Sequence, residues 1–182
     1  MSKVYVFFAT GFEEVEALTV VDLLRRAGMD CQTVSVMEEK QVTSSHNVTV
    51  TADALFSEIS DDADMLVLPG GIPGTPNLAA HKELGELLTK QFKSGKWVAA
   101  VCAAPTVLGG LGILDGKKAT CFPGKMEELI CGEKLTDSVV VDGNVITSRG
   151  MGTCIDFGLK MIEVLDSAET AERIGKAIVY RQ

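Results

Sequence analysis

Histidine and basic residues are scarce in this chain, and its cysteines are unpaired by pattern. Two histidines, His46 and His81, with no H-x-x-x-H spacing leave no basis for a catalytic metal site. The five cysteines (Cys31, Cys102, Cys121, Cys131, Cys154) are odd in number and include no C-x-x-C pair. A disulfide framework or a zinc site is therefore not expected, and a reducing cytoplasm suits these thiols. Against 25 acidic residues stand only 17 Lys and Arg, a net charge of −8. Phosphate binding needs concentrated positive charge, so neither nucleic acid nor an anionic membrane is expected as a partner. No apolar run approaches the roughly 20 residues of a membrane span. The run Val4–Ala9 behind Met1-Ser2-Lys3 is too short for a secretory signal.

What is present reads as one globular domain, residues 1–182, long enough to bury a core without staples. Val4–Phe8 is a buried strand, broken by Thr10-Gly11. A helix follows from Glu13, with Val15, Leu18, Val21, Leu24 and Ala27 spaced for its core face and Gly28 as its stop. Cys31–Met37 is a second strand and Val42–Ala52 a small hairpin. Met65–Leu68 is a strand that ends in Pro69-Gly70-Gly71, followed by a helix from Leu78 to Phe92. Trp97–Val101 is a strand that runs into Cys102 and a helix at Pro105–Leu111. A short strand at Ala119–Phe122 and a helical turn at Met126–Cys131 come next. Strands at Ser138–Val141 and Val145–Thr147 flank the Asp142-Gly143-Asn144 turn. Helices at Ile155–Leu165 and Ala168–Tyr180 close the chain. Apolar strands alternating with helices predict an α/β fold with a mostly parallel sheet covered on both faces. Ligands bind such sheets at the carboxyl ends of the strands, so the loops of interest begin at Ala9, Pro69, Cys102 and Ser148.

Cys102 stands where a buried strand turns abruptly into a helix, between alanines (Ala99-Ala100-Val101-Cys102-Ala103-Ala104-Pro105). That is the pattern of a nucleophile elbow. A cysteine at a helix N-terminus is expected to have a lowered pKa; the competing reading is a small packed thiol. Cys31 and Cys154 read as packing residues, and Cys121 is left open between packing and the same cleft. Glu16, one turn on from Glu13, can meet Cys102 if it points at the carboxyl edge, where burial would raise its pKa. Spacing by itself favours a solvated acidic first turn. Gly70-Gly71 allows close approach of backbone N–H groups to an oxyanion, or is an ordinary turn. Ser148-Arg149-Gly150-Met151-Gly152-Thr153 is a strand-to-helix loop that could tolerate an anion. A Cys–His dyad would require His46, in the hairpin tip, or His81, near a helix start, to reach Cys102.

Five segments in order carry a resemblance. They are Gly11-Phe12-Glu13-Glu14-Val15-Glu16, Val21–Gly28, Leu66–Gly71, Ala99–Pro105 and Thr147–Thr153. Together they span nearly the whole chain, which resembles the ThiJ/PfpI family, DJ-one-like members of the class I glutamine amidotransferase-like superfamily. The resemblance implies a flavodoxin-like three-layer sandwich, a reactive Cys102, and a protonated Glu16 in contact with it. It implies an oxyanion pocket from the N–H groups of Gly71 and Ala103, with Gly70, Phe122, Arg149 and His46 around it. A homodimer and cofactor-free chemistry also follow from it.

The activity so implied is that of a cysteine-dependent glyoxalase or deglycase. Its substrate would be methylglyoxal, glyoxal or an early glycation adduct of an amine, and Cys102 would be sensitive to oxidation. A redox sensor or chaperone that uses the Cys102 sulfinate is the alternative. A thiol peptidase or amidase is disfavoured, because the family's peptidase branches carry His directly after the cysteine and this chain has Ala103. Other departures are Phe122-Pro123 where some members have His-Pro, Met151 for a Pro, and His46 aligned with an Arg. They imply a more apolar pocket.

Overall fold

The computed structural model describes residues 1–180. In chain order the elements are β1 (Lys3–Phe8), α1 (Glu14–Arg26), β2 (Asp30–Ser35), β3 (Gln41–Thr43), β4 (Thr49–Thr51), β5 (Ala54–Leu55), β6 (Met65–Leu68), α2 (Gly74–Ala80), α3 (Lys82–Lys93) and β7 (Trp97–Val101). They continue with α4 (Pro105–Gly110), β8 (Lys118–Ala119), β9 (Glu133–Lys134), β10 (Val139–Asp142), β11 (Val145–Ser148), α5 (Cys154–Leu165) and α6 (Ala168–Ala177).

Seven strands form one sheet in the order β10-β11-β7-β6-β1-β2-β5. Every pairing in it is parallel except that of β10 with β11. The central strands are buried on both faces, which is why they read as continuous apolar runs and not as alternation. Their side chains still divide by the two-residue period. Val4, Val6 and Phe8 pack with α1 and α5 on one face; Tyr5 and Phe7 pack with the α3 and α4 side chains on the other. The result is three layers: helices, sheet, helices. No helix is long and apolar enough to cross a membrane among the described residues.

The structure departs from the sequence expectation in five places. The core face of α1 is Ala17, Val20, Val21, Leu23 and Leu24, whereas Val15 and Leu18 are exposed. Steps of three residues lag the helical repeat by about 60° each, so a stripe drawn at that spacing drifts off the core. The helix expected from Leu78 to Phe92 is two helices, α2 and α3, divided at His81. His81 has extended backbone there, and its Nδ1 accepts the Leu84 N–H at 3.1 Å, capping α3. The second strand stops at Ser35, and β8 stops at Ala119, leaving Cys121 and Phe122 in a loop. The last helix ends at Ala177.

Candidate active site at the carboxyl edge of the sheet

Cys102 follows β7 with φ 63°, a left-handed backbone that a non-glycine residue adopts only under constraint. The constraint is visible on both sides. Its N–H donates to the Ser148 carbonyl of the neighbouring strand at 3.1 Å, and its own carbonyl accepts the Phe122 N–H at 2.7 Å. Ala104 N–H closes the turn on Val101 O at 3.0 Å, and Pro105 begins α4. The thiol is thereby turned out of the strand to a half-buried position.

The loop after β6 meets it. A Cβ placed on Gly70 would lie 2.7 Å from Cys102 Cβ and 2.7 Å from Glu16 Oε2, so only glycine fits. Gly70 N–H donates to Glu16 Oε2 at 2.8 Å, and Gly70 O accepts the Glu13 N–H at 2.9 Å. Gly71 has φ 96°, and its missing side chain would strike the backbone of Gly11 and Glu13. The N–H groups of Gly71 and Ala103 both face the Cys102 sulfur and favour its charged form.

Glu16 comes from the first turn of α1. Glu13 caps that helix, its Oε2 accepting the Glu16 N–H at 2.7 Å. The Glu13-x-x-Glu16 spacing is that of a capping box, a signal the sequence reading passed over. Glu16 does not return the bond to the cap, however. Its carboxyl turns inward, is 1% exposed, and hydrogen-bonds the Cys102 thiol. Stacked Phe8 and Phe12, 4.6 Å apart, pin the intervening loop.

Burial pushes Glu16 up to about 7 from an ordinary value near 4.5. Burial and the adjoining Glu16 carboxylate push Cys102 up to about 12. Burial and the neighbouring carboxylate thus oppose the lowering of the thiol pKa expected from a helix N-terminus. Helix α4 has only six residues, and a carboxylate in hydrogen-bond contact outweighs its dipole and the two N–H donors. Above pH 7 the pair holds one proton between them, and a thiolate forms when that proton sits on Glu16.

Gly150 borders the same space: a Cβ there would lie 3.8 Å from the Phe122 ring and 3.9 Å from Glu16 Oε1. Phe122 itself is 46% exposed and forms an apolar rim. The structure thus gathers Cys102, Glu16, Gly70, Gly71, Ala103 and Phe122. The Arg149 guanidinium is spent on backbone, with NH1 3.2 Å from Thr136 O and Nε 3.5 Å from Cys121 O. His46 sits at the exposed hairpin tip, its Nδ1 3.0 Å from Glu14 Oε1. Cys121 is fully buried in the opposite core layer, its sulfur 3.5 Å from Met126 Sδ. Cys31 and Cys154 are buried packing thiols. Among the described residues, Glu13, Glu14 and His46 bring three ligand atoms within 4.8 Å of one another. Glu13 is already committed to its cap, and His46 to Glu14.

Comparison with known proteins fits this geometry. Residues 2–164 match the model of the DJ-1/PfpI family. Protein DJ-1 homolog B of Arabidopsis thaliana is 39% identical over 182 residues, 98% of this chain and 42% of the plant protein. The chain therefore spans less than half the length of that relative. A Caenorhabditis elegans protein named glutathione-independent glyoxalase DJR-1.2 is 33% identical over 169 residues, 91% of this chain and 89% of its own length. The solved structure of Toxoplasma gondii DJ-1, oxidized, superposes with a TM-score of 0.96 at 35% identity, covering all of both chains.

Proposed function

The chain belongs to the DJ-1/PfpI family, and from that premise we propose that it is a cofactor-independent glyoxalase that works through Cys102 and Glu16. The observation that carries the reading is the buried carboxyl–thiol pair beneath two convergent N–H groups. The name of the nematode relative supports the same reaction class.

Glu16 takes the thiol proton, and Cys102 Sγ adds to the aldehyde carbon of methylglyoxal, giving a hemithioacetal. The aldehyde oxygen becomes an oxyanion facing the Gly71 and Ala103 N–H groups. Glu16 hands the thiol proton to the keto oxygen, and the freed carboxylate moves the proton from the former aldehyde carbon to the neighbouring keto carbon. The first carbon is oxidised to a thioester as the second is reduced to a carbinol. Water cleaves the thioester, releasing lactate and restoring the thiol. A carboxyl held near 7 is suited both to accept and to return that proton. Glyoxal would give glycolate by the same steps, and early glycation adducts present a related carbinol carbon to the same sulfur. Neither a metal nor an organic cofactor is called on in this sequence of steps.

Methylglyoxal consumption with lactate detected as product is the test, with Cys102→Ser beside the wild type. Activity should fall by more than about a thousandfold in the variant. No turnover by the reduced wild type, or equal turnover by the variant, would sink the dicarbonyl mechanism.

A second reading rests on the half-buried position of the thiol next to a carboxyl that can donate a hydrogen bond. Peroxide would oxidise Cys102 to the sulfenic and then the sulfinic acid, each step consuming one peroxide and releasing water, with neutral Glu16 bonded to the sulfinate. Glu16→Gln separates the two: it retains a donor for the sulfinate but cannot carry a proton between carbons. Homodimer formation belongs to the proposal as well. Val15 and Leu18, one turn apart on α1, are exposed apolar side chains that a second copy would cover, and sedimentation of the purified protein tests it. A cytoplasmic setting suits five free thiols.

A further inference from the structure

Thr153 stands at the N-cap of α5, yet its side chain makes no hydrogen bond to that helix. A threonine in this position ordinarily serves the free N–H groups of the first turn. Here the hydroxyl is turned back to the loop that leaves β11. The Arg149 and Gly150 N–H groups each donate to Thr153 Oγ1 at 3.2 Å. Ser148 Oγ lies 2.7 Å away, and its own proton goes to Ser138 O at 2.7 Å. The proton between the two hydroxyls therefore belongs to Thr153. Gly150 O, 2.9 Å from Thr153 Oγ1, is served instead by the Thr153 N–H at 2.9 Å and the Cys154 thiol at 3.3 Å. One donated and two accepted bonds fill a hydroxyl, so nothing of it is left for the helix.

Both ends of this clasp reach the reactive pair. Ser148 is fully buried, and its carbonyl accepts the Cys102 N–H at 3.1 Å, one of the bonds that hold the left-handed backbone of Cys102. Gly150 is the other end. Gly70 N–H binds Glu16 Oε2 at 2.8 Å, and Gly150 stands over the second oxygen: a Cβ on it would lie 3.9 Å from Glu16 Oε1.

We infer that Thr153 is a positioning residue: its hydroxyl ties the strand end that holds Cys102 to the Gly150 peptide that covers Glu16, and so fixes the two reacting groups against each other. As a statement about turnover this rests on the glyoxalase reading; the geometry of the pair is what Thr153 governs. With the clasp cut, Gly150 is free to lift and water reaches Glu16 Oε1. A wetter carboxyl loses part of the burial that held its proton. The other titratable groups that face it, Cys102, Glu13 and Cys154, are unchanged.

The experiment compares the wild type with Thr153→Val, which keeps the shape and removes the hydroxyl, and Thr153→Ser, which keeps the hydroxyl. One readout is kcat and KM for methylglyoxal. The other needs no turnover: it is the pH at which alkylation of Cys102 by iodoacetamide, located by peptide mass, reaches half its final rate. That rate rises as the pair gives up the first of its two protons. In Thr153→Val, kcat should fall about tenfold or more, since a displacement of about 1 Å at reacting groups can cost a hundredfold. KM should stay within about threefold, because no group that touches substrate is removed. The alkylation midpoint should move to lower pH by about half a unit or more. Thr153→Ser should restore kcat to within about twofold of wild type and the midpoint with it. Ser148→Ala removes the acceptor of the Thr153 proton and leaves α5 untouched. It should move both readouts the same way by less, and it carries the test if Thr153→Val does not fold. A wild-type value of either readout in Thr153→Val, or a Thr153→Ser protein as impaired as Thr153→Val, would overturn the inference and leave the glyoxalase reading standing. Failure of the wild type to turn over methylglyoxal would overturn the glyoxalase reading, and the alkylation midpoint would then decide the role of Thr153.

Discussion

At the edge where the parallel strands begin, polar groups are matched locally. Asn144 donates to Phe92 O at 3.0 Å and Lys96 O at 2.7 Å, Gln91 donates to Ala63 O at 3.1 Å, and Lys3 N–H donates to Asp64 at 2.8 Å. At the edge where the same strands end, a carboxyl and a thiol compete for one proton, Cys102 has a left-handed backbone, and Ile72, Phe122 and Met151 expose apolar surface. At one end of the sheet these groups have inert partners. The other keeps two groups in a state that a reactant can relieve. Stability and reactivity are therefore expected to separate along the strands.

Glu16→Gln tests that separation most severely. It should lower kcat for methylglyoxal by about 10²- to 10⁴-fold. It should also change how stability depends on pH. The folded protein holds a proton on Glu16 that the unfolded chain releases above its ordinary pKa near 4.5. Stability should then fall as pH rises from about 4.5 through about 7, by about 3 kcal/mol in all, and level off above. Urea unfolding at pH 5 and pH 8 measures this: the variant should lose that fall and be the more stable protein at pH 8. A wild-type pH slope in the variant would show that another group titrates.

Gly70→Ala comes next. Its Cβ would sit 2.7 Å from both members of the pair, which should cost about 1–3 kcal/mol in urea unfolding. Displacing the pair should reduce kcat/KM by about a hundredfold. At the opposite edge, Asn144→Ala should cost a similar about 1–3 kcal/mol, because two carbonyls lose their donor. Yet kcat/KM should stay within about twofold of wild type, and a large loss of activity there would break the contrast between the edges. Gly28→Ala should have the smallest effect. Its φ of +80° strains a side chain, but nothing lies within 4 Å of the added carbon, so about 1 kcal/mol is lost and activity is retained.

The elbow was legible because its requirements are local. A buried strand, a cysteine, small neighbours and a proline follow one another within eight residues, and Cys102 lies where they point. Glu16 was named on resemblance, since first-turn spacing on its own favours solvent. The capping pattern of Glu13 with Glu16 was readable but does not say that the second carboxyl turns inward; that depends on Gly70, 54 residues away. The resemblance puts Arg149 at the pocket, and only the folded chain shows its guanidinium spent on Thr136 and Cys121 carbonyls. The break at His81 escaped for a related reason: the apolar period runs through it, and only the backbone reveals a cap there.

By itself the sequence determined the order of the central strands and the helices that flank Cys102, the two-sided burial of the sheet and the corner on which Cys102 sits, because hydrophobic period and turn chemistry are short-range properties. The tertiary structure decided the protonation of the site. Whether a thiol at a helix start is lowered or raised depends on what lies against it, and here that is a buried carboxylate delivered by a different element of the chain. Its field at contact distance, in a medium poor in water, exceeds that of a six-residue helix.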